Sequence, residues 1–264
     1  ASGTDTLDAR GQRTLRVVLP PASKGSAANV IVSAVVTDVN RQTVLASVTT
    51  LVHPADFYLA AKPRGESYFW TAGTPESIDV MAVDPAGSTV TGVRVQGTIV
   101  RREWHQVRRE RDGMSELVGS WVSDTVATCV VVTARLPEAC TFTPRSGGSY
   151  TAGFTATDGA GRAVSTNFYR WASGSDWVPW SDESQFKMDV LPDKQRYAVG
   201  DTATVLFASP FTNVEAWVTV EREGIIEQRR LRIASGSTTL KFPITEAFAP
   251  NAFVSIMVAR GRGA

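Results

Sequence analysis

Arg196 to Gly224 reads RYAVGDTATVLFASPFTNVEAWVTVEREG: a Tyr–Gly turn, then two apolar segments joined by a corner containing Pro210. In ATVLFAS and AWVTVER, apolar and β-branched side chains fall at the period-two spacing of strands with one buried face. The stretch therefore reads as the opening of a β domain. Only the chain from Arg196 to Ala264 follows it, which is short for a β-sandwich.

The same pattern recurs along the chain in TLRVVL, NVIVSAVV, SIDVMAV, VRVQGTIV and AFVSIMV, with Gly, Pro, Asn and Asp between them. No segment shows the 3.6-residue apolar period of an amphipathic helix, so parallel βαβ units are excluded and antiparallel sandwiches are expected. Apolar residues make up 43% and charged residues 20% of the 264, an ordinary globular composition. A formal net charge of +1 provides no electrostatic footprint for nucleic acid. No run of 18 apolar residues occurs. The polar start ASGTDTLDAR lacks the basic and apolar regions of a signal peptide, which leaves a cytosolic chain or one cut from a longer precursor.

Internal repetition explains the short third domain. AVVTDVNRQTVLAS at 34–47 is echoed by FTATDGAGRAVST at 154–166, with Asp38 and Asp158 lying 120 residues apart. FWTAGTPESIDVMAV at 69–83 is echoed by RYAVGDTATVLFAS at 196–209, with Gly73 and Gly200 lying 127 apart. NVIVSAVV at 29–36 returns as NAFVSIMV at 251–258. The Gly motif opens a unit and the Asp turn lies near its end. One complete unit is thus expected at 57–183, preceded by the end of another at 1–56 and followed by the start of a third at 184–264. The third unit's last turn and strand are expected just after Val258, where ARGRGA stands instead.

At DKQRYAVGDTATVLFASPF, AWVTVEREGI and APNAFVSIMVARGR the chain resembles the bacterial alpha-2-macroglobulin family. The resemblance continues through CTFTPRSGGSYTAGFTATDGAGR and VTDVNRQTVLASVTTLVHPADFY. It implies a string of macroglobulin-like domains, seven-stranded antiparallel sandwiches similar to immunoglobulin and fibronectin III folds. It further implies a periplasmic, cell-envelope protein that traps proteases, its partners being target proteases and the neighbouring domains of its own chain. Membrane anchoring of the full-length protein stays open. In that family a protease cleaves an exposed bait segment, the molecule rearranges, and a thioester attaches to the attacker. This chain lacks the Cys-x-Glu-Gln thioester motif: Cys129 is followed by VVV and Cys140 by TFT. The expectation is a scaffold segment, not an enzyme, without cofactor or metal, leading up to the bait region. A cell-surface adhesin or carbohydrate-binding module of the same fold is the alternative reading.

Residues with chemical potential support that expectation. His53 and His105 are too few and too far apart for a metal cluster or a histidine-based triad. Glu221 and Glu223 read as a solvated strand edge. RREWHQVRRERDG at 101–113 holds five arginines interrupted by Glu103, Glu110 and Asp112, and reads as a long solvated hairpin whose charges discourage strand pairing. Trp171, Trp177 and Trp180 read as packing between sandwiches, with a carbohydrate platform as the competing idea. Arg260 and Arg262 offer cleavage points on the approach to the bait. Cys129 and Cys140 are too widely spaced for a CxxC site. CVVVT and ACTFT read as two strands with ARLPEA turning between them, so a disulfide would staple a hairpin in an oxidising compartment; two buried thiols are the alternative.

Overall fold

The computed structural model describes residues 2–18, 27–111, 114–174, 188, 190–209, 211, 213–234 and 237–259. Ala1–Asp56 and Phe57–Ala264 form separate compact units.

In the first unit β1 (Ala28–Thr37) pairs antiparallel with β2 (Thr43–Val52). One face of this hairpin is apolar along nearly its whole length: Val30, Val32, Ala34 and Val36 stand opposite Thr50, Val48, Ala46 and Val44. Most of these side chains are exposed.

The second unit holds two sandwiches. The first, A, has a sheet of β3 (Tyr58–Pro63), β5 (Glu76–Val83), β6 (Thr89–Val90) and β9 (Glu138–Phe142), with β3 on one side of β5 and β6 and β9 both pairing β5 as well. Its second sheet contains β4 (Trp70–Thr71), β7 (Arg94–Arg111), β8 (Met114–Val132), β10 (Gly148–Thr157) and β11 (Ala163–Ser173), in the order β4-β11-β10-β7-β8. Alternate residues of β5, β7 and β10 point inward: Ile78, Val80, Ala82, Val95, Ile99, Ala152 and Phe154 are fully buried. Trp70 closes one end of this core, its ring edge-on to Phe142 at 4.9 Å and to Tyr150 at 6.0 Å.

The second sandwich, B, pairs β12 (Val190–Pro192), β13 (Thr202–Ala208) and β16 (Ser237–Pro243) in one sheet. The other holds β15 (Ile225–Ile233), β14 (Val214–Glu221) and β17 (Phe253–Ala259). Val205, Phe207, Ala216, Val218, Val220 and Phe242 fill its core. B repeats six strands of A: β12-β13-β16 follows β3-β5-β9, and β15-β14-β17 follows β8-β7-β10. The two Gly motifs are equivalent corners. Gly73 and Gly200 both have positive φ, and their N–H groups donate to Pro144 and Ile244 at 2.8 and 2.9 Å, just beyond β9 and β16. Among the described residues B has no counterpart of β11, so its second sheet ends at β17.

Among the described residues the Asp turns share one geometry at four places, two more than the repeats suggest. Asp8, Asp38, Asp84 and Asp158 each accept, through their C=O, the N–H three residues on. Each donates its own N–H to the C=O four residues on. Each Oδ1 accepts two further N–H groups within the turn. The fourth turn residue is left-handed: Gly11, Arg41, Gly87 and Gly161. A type I turn closed by a left-handed residue suits a twisted antiparallel hairpin, and the short Asp side chain rigidifies it. Asp158 is the most enclosed, with its side chain 1% exposed and bound to Arg162 at 2.6 Å. Asp158→Ala strands the two turn N–H groups that its Oδ1 accepts, so a loss of about 2–3 kcal/mol is expected. Urea denaturation should show the lower midpoint, and an unchanged one would contradict the turn's role.

The disulfide forms, with Cα atoms 5.9 Å apart, but not across a hairpin. Cys129 lies on β8 and Cys140 on β9, which pairs with β5 in the opposite sheet. The bond therefore ties A's two sheets together. ARLPEA crosses between the sheets, because Thr133 turns the chain: it donates to Val90 C=O and accepts from Val93 N–H.

β7 and β8 run on past the end of β10's pairing at Arg102, and Glu103–Arg111 and Met114–Val122 form a two-stranded arm. The arm extends ~30 Å. This is the long hairpin expected at 101–113. At its base Arg101 donates to Gly147 C=O at 2.9 Å, and the Arg102 guanidinium lies 4.9 Å from the Trp121 ring.

Candidate functional site

Among the described residues of the second unit, A and B meet through a shared apolar cluster at their joint. β13 makes this possible. Its odd residues Val205 and Phe207 face B's core, while Leu206 and Ala208 face outward yet are 2% exposed. Leu206 and Ala208 pack with Phe69 and Trp171 of A, and Leu191 of β12 completes the cluster. Trp171 sits on the outward face of β11, 8% exposed, and Tyr169 meets it edge-on at 6.2 Å. A large flat side chain anchored on a strand fixes an angle between two sandwiches better than flexible aliphatics do.

Polar contacts frame the cluster. Tyr68 N–H of A donates to Asp193 C=O of B at 3.0 Å. Asp193 Oδ1 in turn accepts from Tyr197 Oη at 2.6 Å and Thr204 N–H at 2.8 Å. Burial, reinforced by the bond to Asp193, pushes the Tyr197 phenol up to about 12. Tyr197 thus stays a donor at any physiological pH and holds the corner that presents Asp193.

On A's side, Arg170 donates to Ser67 C=O and lies over the Trp70 ring at 5.9 Å. Burial lowers Arg170 and raises the nearby Glu76, whose Oε1 accepts Thr71 N–H at 3.2 Å. Folded Glu76 holds its proton above the ordinary 4.5, so the native state binds more protons than the unfolded chain in that window. Stability from this group is present at acid pH and is lost as pH rises through the raised value. Glu76→Gln is therefore expected to flatten the fall in denaturation midpoint above pH ~4.5 without destabilising the neutral protein. A parallel fall in the variant would contradict this.

The other residues singled out in the sequence are not brought together. His53 follows β2 in the first unit, and His105 lies on the arm with Nε2 3.2 Å from Glu103 Oε2. Glu221 ends β14 and accepts from Thr219 Oγ1. Glu223 lies beyond the strand in the turn, 3.9 Å from Arg222, so the two carboxylates share no strand face. Among the described residues no group of three His, Cys, Asp or Glu could hold a metal ion. Trp177, Trp180, Asp112, Arg260 and Arg262 lie outside the described residues.

Sequence reasoning missed Phe69, Leu191, Leu206 and Ala208. One signal was available: VLFA in β13 is an unbroken apolar run, the mark of a strand buried on both faces.

The second unit is thus a pair of antiparallel β-sandwiches in tandem, tied by an aromatic joint. The family model described as "Alpha-2-macroglobulin bait region domain" matches residues 188–263, which is sandwich B. The chain is 25% identical over 225 residues to the alpha-2-macroglobulin homolog of Nostoc sp., covering 85% of this chain and 12% of that one. It is 26% identical over 177 residues to the homolog of Deinococcus radiodurans, covering 67% of this chain and 17% of that one. Among solved structures, the native conformation of E. coli alpha-2-macroglobulin aligns over 90% of this chain and 16% of its own, at 18% identity and a TM-score of 0.42. Salmonella alpha-2-macroglobulin reacted with methylamine aligns over 89% of this chain and 17% of its own, at 14% identity and 0.39. The chain is similar to bacterial alpha-2-macroglobulins, and it spans less than a fifth of the length of the curated relatives it matches.

Proposed function

We propose that this chain is a structural scaffold segment of a bacterial, periplasmic protease trap, carrying the sandwich from which the bait segment departs. The observation that supports it most is the coincidence of the bait-region match at 188–263 with sandwich B, whose last described strand, β17, runs out to Ala259. Arg260 and Arg262 follow directly. The joint gives the segment a mechanical role. β13 lies between B's core, which includes β17, and the Trp171 cluster, so a change at the bait-proximal edge bears on the next sandwich. The Cys129–Cys140 bond suits an oxidising envelope compartment. The segment itself neither cleaves nor covalently captures a protease.

The adhesin reading draws no support from Trp171, which is buried in the joint and presents no aromatic platform.

Limiting trypsin followed by intact mass measurement tests the proposal. The first product is expected to end at Arg260 or Arg262, with no species equal to chain plus protease. A covalent adduct, or a first cut inside the strands of B, would overturn it.

A further inference from the structure

One strand pair distinguishes A from B in length. β7 and β8 hold 18 and 19 residues because they continue into the arm, whereas their counterparts β14 and β15 hold 8 and 9. The same pair carries the disulfide. Ile78 and Val205 each lie five residues beyond their Gly corners, and the residues opposite them are Cys140 and Leu240. B thus has leucine where A has Cys140. β15 has no cysteine, and β14 has no glycine such as the Gly97 that makes room for Cys129 Sγ. B's core nevertheless closes around Val205, Phe207 and Phe242. A sandwich of this plan packs without the bond, so the bond answers to what A adds on the bonded strand itself, which is the arm.

β8 is thinly held along its length. Among the described residues it pairs only with β7, and from Trp121 to Val132 only Val131 is buried. Thr133 fixes the strand's end through Val90 and Val93. Between that end and the arm, the Cys129–Cys140 bond ties β8 covalently to β9 in the opposite sheet. A strand with few buried contacts is the part of a sheet that opens at least cost, and here it also bears the arm.

We propose that Cys129–Cys140 is a reducible latch on the arm, opened by a dithiol reductant. Cys129 is half-buried on the outer strand, while Cys140 is 1% exposed. The incoming thiolate therefore attacks Cys129 Sγ, and Cys140 leaves as a thiolate that takes up a proton. The reductant's second thiolate then attacks the mixed disulfide at the reductant's own sulfur and releases Cys129, which is protonated in turn. Two electrons and two protons have passed to the pair, and the reductant ends as a disulfide. With the latch open, the arm and β8 as far as Val131 separate from β7 more readily. The rest of A and all of B keep their packing. The inference is independent of the protease-trap reading.

Hydrogen exchange of the full chain, read by peptide mass before and after dithiothreitol, tests the proposal, with thiol titration to show that two thiols have formed. Exchange within 114–131 is expected to become at least tenfold faster, while β10, β11 and the strands of B are unchanged. Glutathione followed by alkylation should leave its adduct on Cys129 and the alkyl group on Cys140. A Cys129→Ala, Cys140→Ala double variant should exchange like the reduced protein, with or without dithiothreitol. A bond that stays closed in the native protein would overturn the proposal, as would an adduct on Cys140 or a reduced protein whose β8 exchanges at the original rate. So would exchange that rises throughout A, since the bond would then hold the whole sandwich and not the arm-bearing strand.

Discussion

Gly97→Val is expected to unfold sandwich A or leave its disulfide open. Gly97 stands opposite Cys129 on the inward face of the sheet. A Cβ there would lie 2.4 Å from Cys129 Sγ and 2.7 Å from Phe154 Cε1. Neither neighbour can retreat, because the sulfur is bonded to Cys140 and the Phe154 ring is fully buried. Overpacking alone costs about 1–3 kcal/mol. Failure to close the disulfide forfeits about 3 kcal/mol more, the chain-entropy figure for a loop of this size. Thiol titration after denaturation without reductant reads the outcome: two reactive thiols in the variant and none in the wild type. A variant with a closed disulfide and an unshifted denaturation midpoint would show that the Gly97 contact is not structural.

Trp171→Ala is expected to cost about 3–5 kcal/mol, as large aromatic truncations at buried sites do. The location of the loss matters more than its size. Trp171 contributes to the joint and not to either core, so each sandwich keeps its own packing while the link between them weakens. By calorimetry the wild-type second unit should melt as one cooperative body and the variant in two steps. Phe69→Ala should behave in the same direction. A variant that still melts in a single step, merely shifted downward, would place Trp171 in a core and remove the joint from the account.

Much of this architecture was legible in the sequence because it depends on local rules. Period-two alternation marked the strands, and the Asp38 and Asp158 turns announced hairpins through a side chain that bonds its own turn. The Gly73 and Gly200 motifs proved equivalent corners because each needs a left-handed residue whose N–H reaches a distant strand end. The turns at Asp8 and Asp84 obey the same rule and were readable as Asp followed three residues on by Gly. What escaped was non-local. The partner of β9 is set by packing between sheets, so the disulfide looked like a hairpin staple when it is a bridge between sheets. The joint escaped for the same reason: Phe69, Leu191, Leu206 and Ala208 converge from separate strands. Only the unbroken VLFA run of β13 betrays the second buried face. Glu223 falls outside β14 because the turn after Glu221 comes two residues sooner than alternation alone suggests.

A and B, from Phe57 to Ala259, are expected to behave as one mechanical body. Limited digestion with a protease of broad specificity, read by intact mass over time, tests it most directly. One resistant fragment is expected, beginning near Phe57 and ending near Ala259, noncovalently whole under native conditions even where the chain between the sandwiches is nicked. Release of the 57–174 and 188–259 portions as separately eluting bodies would contradict it.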